Sequence, residues 1–222
     1  MLNLLFCVAM AGVPQKDIHH HLKESIDERR SYFSNREGEL VEIINNARAS
    51  FRLRYKAYST LVQLQPSKKN LLMGLASHEW FMRDLGIKLA AKYRPKLAKI
   101  YAEKYLTDPS LVVRTSAVKI LKELQVKEST ESLWEALHSK QNFRGQQSLW
   151  VRKHIVSALA SLHSGDRHMW AKRFRSILDD RDASLHAHAL YALAGLYPNG
   201  PKTNRTEPVE IQRKKWLAFL SK

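Results

Sequence analysis

The sequence predicts an all-α chain built as a helical solenoid, and three observations carry that reading. A twelve-residue pattern, clearest in VRTSAVKILKEL at residues 113–124, recurs at residues 53–64, 82–93, 151–162 and 185–196. It places apolar residues at positions 1, 5, 6, 8, 9 and 12, the spacing of one helix face, and a basic or histidine side chain at position 2. The copies start 29, 31, 38 and 34 residues apart. A period of that size marks stacked helical hairpins, each of which buries its apolar face only against its neighbours. No strand-like alternation of comparable length interrupts the copies.

Taken in order, residues 1–11 are apolar and uncharged, and Ala9-Met10-Ala11 supplies a small-x-small site, so they read as a signal peptide cut after Ala11. The apolar run is too short to span a bilayer. Residues 12–36 read as an N-terminal amphipathic helix with Ile18, Leu22 and Ile26 on one stripe. His19, His20 and His21 would point in steps of about 100° on such a helix and do not converge on a metal. Residues 37–222 read as a repeat domain. Each patterned helix follows a partner helix, at residues 37–49, 67–77, 94–106, 130–138 and 166–178, and residues 207–220 form a closing cap.

The turns are legible too. Asp108-Pro109 supplies an N-cap carboxylate and a first-turn proline for the third patterned helix, and Asp180 or Asp182 serves the fifth. Ser164-Gly165-Asp166 ends one helix and caps the next. Residues 141–147, QNFRGQQ, account for the stretched spacing of 38, and residues 197–208 form the longest loop.

Composition is that of a folded domain, apart from charge: 37 basic against 21 acidic residues give +16. Most of the excess lies beyond residue 66. Such a surface attracts anionic partners. The single cysteine, Cys7, rules out an internal disulfide and a thiolate zinc site.

The repeated helix, Asp108-Pro109 ahead of it and Val113-Arg114 within it resemble the HEAT-repeat family of armadillo-like α-solenoids, over about residues 37–196. The resemblance implies a right-handed α-solenoid of about five helical hairpins with a C-terminal capping helix. It implies that Arg54, Arg83, Arg114 and Arg152, with Asp108, form a structural ladder between repeats, Asp108 with Arg114 being the best match. His186 departs from the arginine position, and Gln146 and Ser77 stand where an aspartate is expected. It also implies that the patterned helices line a concave groove and that the fold serves as a scaffold for many partners.

The positions left free by the apolar pattern hold Lys56, then Lys88 and Lys92, then Lys119 and Lys122, then Lys153 and His154, with Asp84, Ser157, His188 and Tyr191 among their neighbours. The lysines stack about one repeat apart and form a basic stripe suited to an acidic peptide or an extended anionic chain. Trp80 and Trp150 precede patterned helices beside basic residues and are candidates for stacking on a base or sugar ring. Trp134, Trp170 and Trp216 fall on apolar stripes and read as core. His78-Glu79 begins a zinc-protease motif, but Met82 stands where its second histidine belongs. No catalytic residue, metal or cofactor is assigned.

The function expected from these residues is a non-enzymatic scaffold that binds a protein or acidic polymer along the basic groove. Cleavage after Ala11 would make it periplasmic or secreted, in a bacterial envelope; without cleavage it would be cytoplasmic. The alternative is an intracellular nucleic-acid-binding protein, possibly of the DNA-glycosylase type, with Asp84 and Trp80 or Trp150 as its only candidate groups.

Overall fold

The computed structural model describes residues 18, 20–204 and 206–221. The signal-peptide reading of residues 1–11 lies outside them. The described chain is all-α, with twelve α-helices and one two-stranded hairpin. Among the described residues no helix is long and apolar enough to cross a membrane. The chain packs as two compact units, Met1–Leu71 and Leu72–Lys222.

In the first unit, Ile18 and Leu22 are buried, but the expected helix does not run on through Ile26. The chain turns after His21, and Ser25 starts a new helix, α1 (Ile26–Phe33). Ser25 and Glu28 form a reciprocal capping box: the Glu28 carboxylate accepts the Ser25 N–H at 2.8 Å, and the Ser25 hydroxyl accepts the Glu28 N–H at 3.3 Å. α2 (Glu37–Asn45) and α3 (Phe51–Leu64) pack together, and α1 lies on α3. Leu40 and Ile44 meet Ala57, Tyr58 and Leu61 in a closed core. Buried Thr60 interrupts the apolar pattern of α3, and Arg29 satisfies its hydroxyl at 2.7 Å.

Helix α4 (Lys68–Leu75) crosses the boundary between the units. The second unit continues with α5 (Trp80–Tyr93), α6 (Pro95–Tyr105), α7 (Leu111–Glu123), α8 (Thr130–His138), α9 (Val151–Leu162), α10 (Arg167–Leu178), α11 (His186–Leu196) and α12 (Val209–Leu220). The patterned helices α5, α7, α9 and α11 pack in succession, each against the next. Helix α6 lies on α5 and α7, α8 on α9, α10 on α11, and α12 covers α10 and α11. Val113, Ala117, Leu121, Ile155 and Leu159 line the seam between α7 and α9, and Trp170 and Trp216 are fully buried. Trp134 is half-buried, with the Arg173 guanidinium 5.0 Å from its ring.

Gly86, at a pattern position otherwise held by alanine or isoleucine, lets α5 approach α4 closely. A Cβ there would sit 2.9 Å from the Leu75 nitrogen and 3.0 Å from the Gly74 carbonyl carbon. Backbone cannot yield as a flexible side-chain tip does. Gly86→Ala is therefore expected to cost about 1–3 kcal/mol through overpacking. A urea denaturation midpoint unchanged from wild type would contradict that contact.

The segment of residues 141–147 holds a hairpin the sequence did not announce. Strands β1 (Phe143–Arg144) and β2 (Gln147–Ser148) pair antiparallel, turning at Gly145 with φ +60°. Two-residue strands are too short to show a period of two. The loop of residues 197–208 is fastened to α12. The Gln212 amide donates to the Asn204 and Glu207 carbonyls, both at 2.7 Å, and Gly200 sits against the Trp216 ring.

The position-2 arginines point inward, where they cross-link turns. Arg83 grips the Asp108 carboxylate with two bonds of 2.7 and 2.8 Å and the His78 carbonyl at 2.7 Å. Arg152 holds Asp180 at 2.6 Å, Ser148 at 2.7 Å and the Leu137 carbonyl at 3.0 Å, with Phe143 stacked on its guanidinium. Arg114 takes the Asp108 carbonyl, not its carboxylate, and bonds Asn142 Oδ1 at 2.8 Å. Arg83, Arg114 and Arg152 thus reach forward to the segment before the next patterned helix, so Asp108 belongs to Arg83 rather than to Arg114. Asn142, not Gln146, is the neutral stand-in for the missing aspartate. Arg54 donates to the Ile44 carbonyl at 3.0 Å, and His186, at the same pattern position, contacts the Asp180 carbonyl at 2.9 Å.

The expected caps shift slightly. Asp108 accepts the Ser110 N–H at 2.8 Å and shapes the turn, while Ser110 occupies the N-cap of α7. Asp166 caps α10, and Asp182 caps a 3₁₀ turn, Ala183–Leu185, ahead of α11.

Candidate functional site

In helices α7, α9 and α11 the free pattern positions come to one face of the second unit. Between α7 and α9, a residue on the first helix meets the residue three pattern positions earlier on the second. Lys122 therefore reaches Ser157, with its ammonium donating to the hydroxyl at 2.8 Å. Indole Nε1 of Trp150 meets Thr115 in the same register, at 3.0 Å.

Lys119, Lys122, His154 and Ser157 line one cleft of about 540 Å³, with Glu123 and Gln125 at its edge. Lys153 lies close enough to matter electrostatically. Burial pushes the His154 imidazole below its usual pKa, and Lys119, Lys153 and Lys122 push it the same way. Burial likewise lowers His188, helped by Lys153, Lys122 and His154. Burial is the larger cause for both imidazoles, and the lysines of α7 and α9 add to it. The sequence already set His188 on the free face with the lysines, and in the structure Lys153, Lys122 and His154 act on it.

The other predicted residues lie elsewhere. Lys88 is exposed but neutralised: its ammonium is 2.6 Å from the Asp84 carboxylate one turn earlier. The other Asp84 oxygen accepts the Ser116 hydroxyl at 2.5 Å. This carboxylate, the candidate catalytic group of the nucleic-acid alternative, is buried and held by both partners. Lys92 is exposed at the end of α5, its ammonium 5.1 Å from the Tyr93 ring centroid. Lys56 belongs to the first unit, where it lines a small cleft with Lys23 and Arg52. Trp80 and Trp150 are not interior plugs, being 47% and 58% exposed. Among the described residues no group of three His, Cys, Asp or Glu side chains could hold a metal ion.

What the face on α7, α9 and α11 can do chemically is hold negative charge. It offers ammonium donors, a hydroxyl and two imidazoles, each of which gains a second N–H donor and a positive charge on protonation. The chain matches no protein-family model, no curated protein and no solved structure.

Proposed function

We propose that the chain is a non-enzymatic scaffold of the HEAT-repeat kind, a right-handed solenoid of about five helical hairpins closed by α12. Its basic face captures an acidic segment of a partner protein or another acidic polymer. The single observation that carries this reading is the convergence of Lys119, Lys122, Lys153, His154 and His188 from three successive helices. Repeat order supports it as well, because lysines on successive helices follow an extended ligand rather than a compact one. The fully engaged Asp84 favours binding over chemistry.

Proton linkage supplies the test. Both imidazoles are held below their ordinary pKa, so they are mainly neutral near pH 7 and gain charge only as pH falls. A docked carboxylate chain favours the protonated form, so binding takes up protons. Affinity for a fluorescent polyglutamate peptide is expected to rise severalfold between about pH 7.5 and 5.5, where the probe stays ionised. The double variant His154→Gln/His188→Gln should flatten that rise while keeping the lysine-driven binding. Absence of binding across the range overturns the proposal. The free protein shows the opposite sign. The depressed imidazoles contribute stability above the unfolded pKa, and that contribution fades as pH falls through the folded values.

A further inference from the structure

A second cleft in the same unit has different chemistry. It has a volume of about 950 Å³ and opens between the β1–β2 hairpin, the start of α9 and the turn that carries Asp180 and Asp182. That is within the size range of small-ligand sites. Its lining is charge-balanced, with Arg144, Arg152 and Arg181 set against Asp179, Asp180 and Asp182. In a chain of net charge +16 this balance is a local departure, and it removes the field that retains polyanions.

The hairpin is the one strand pair among the described residues, and it forms one wall of the cleft. It is held by Phe143 stacked on Arg152, by Ser148 accepting from Arg152 at 2.7 Å, by Gln146 accepting from Arg181 at 3.1 Å, and by the Leu149 N–H donating to the Asn142 carbonyl at 3.0 Å. Trp150 also lines the cleft and is 58% exposed. Its indole N–H is already used by Thr115 at 3.0 Å, and the Thr115 hydroxyl donates in turn to the Leu111 carbonyl at 2.8 Å. The ring is therefore positioned in advance, and what it offers a ligand is an apolar face. Around it stand planar hydrogen-bonding groups, the exposed Arg144 guanidinium and the exposed Gln147 amide among them.

We propose that this cleft binds a neutral saccharide, with a gluco-configured pyranose ring stacked on Trp150 and its hydroxyls bonded by Arg144 and Gln147. A ring whose substituents are all equatorial shows only C–H bonds on its faces and keeps its hydroxyls at its edge. That geometry matches an open indole beside planar donors and acceptors. A nucleotide offers the flat face of its base but also carries a phosphate, which a cleft without net positive charge does not favour. The inference is independent of the basic face on α7, α9 and α11.

Saturation-transfer NMR on cellotriose and chitotriose, at millimolar concentration with the full chain, tests it. Transfer to the ring C–H protons of at least one sugar is expected. Trp150→Ala should weaken binding roughly three- to tenfold, the worth of a stacked ring. Arg144→Ala, at an exposed position that leaves the fold intact, should weaken it measurably. A galacto-configured trisaccharide, with one axial hydroxyl on a ring face, should bind more weakly than its gluco counterpart. No transfer to either gluco sugar, or transfer undiminished in both variants, overturns the proposal.

Discussion

Arg152→Met is expected to destabilise the protein by about 3–5 kcal/mol, the cost of breaking a buried ion pair from one side. The Arg152 side chain is almost wholly buried and serves four groups at once: Asp180, Ser148, the Leu137 carbonyl and the Phe143 ring. Methionine fills much of the volume but leaves a partly buried carboxylate and a buried carbonyl without their donor. Arg114→Met provides the comparison. Arg114 is equally buried, but its acceptors are Asn142 and the carbonyls of Asp108, Pro109 and Gln141. No carboxylate is stranded by its loss, so it should cost less than Arg152→Met. Urea denaturation of the two variants checks that order; equal midpoints would contradict the assigned pairing.

The same pair sets an acid limit. Burial raises the Asp180 carboxyl, but hydrogen bonds from Arg152 and the Asp182 N–H, with the charge of Arg152, outweigh it and leave the group below its usual range. A carboxylate with a depressed folded pKa contributes its full stability above the unfolded value, about 3.9. The contribution is lost as pH falls through the folded value, so the part of the Arg152→Met deficit that comes from Asp180 should fade only in strong acid, while the part from Ser148 and the Leu137 carbonyl remains.

Reversal of the three lysines, Lys119→Glu/Lys122→Glu/Lys153→Glu, is expected to weaken polyglutamate binding by about two orders of magnitude. Each substitution exchanges an attraction for a repulsion near the surface, and about 1 kcal/mol per site sums to ~3 kcal/mol. Lys119 and Lys153 are exposed, so the fold should be unaffected, while Lys122 surrenders only its bond to Ser157. Lys88→Glu is the matched control. Lys88 is already paired with Asp84, so its reversal should change binding little. A preference for duplex DNA over polyglutamate in the wild type would move the partner class to nucleic acid.

Much of the helical plan was readable from periodicity. The pattern at residues 151–162 coincides with α9, and those at residues 53–64, 82–93, 113–124 and 185–196 differ from α3, α5, α7 and α11 by one or two residues at an end. Apolar spacing reveals which face of a helix is buried, but not which neighbour a polar side chain meets. That is why Asp108 appeared to belong with Arg114 when Arg83 holds it. The same limit hid the Asn142 acceptor. Lys88 was counted with the free lysines although Asp84 stands four residues before it, the spacing of a helical ion pair. The hairpin at residues 143–148 escaped because its strands are too short to show a pattern, so one wall of a cleft was visible only as a stretched spacing.

We propose that a concentrated positive face, not the net charge of the chain, captures the partner. The most direct measurement is the polyglutamate affinity of the wild type and the lysine triple variant across a salt series. Counterion release predicts that log Kd rises linearly with log salt concentration in the wild type, and that the slope falls sharply in the triple variant. A slope that is the same in both proteins would contradict it, since binding would then follow overall charge rather than Lys119, Lys122 and Lys153.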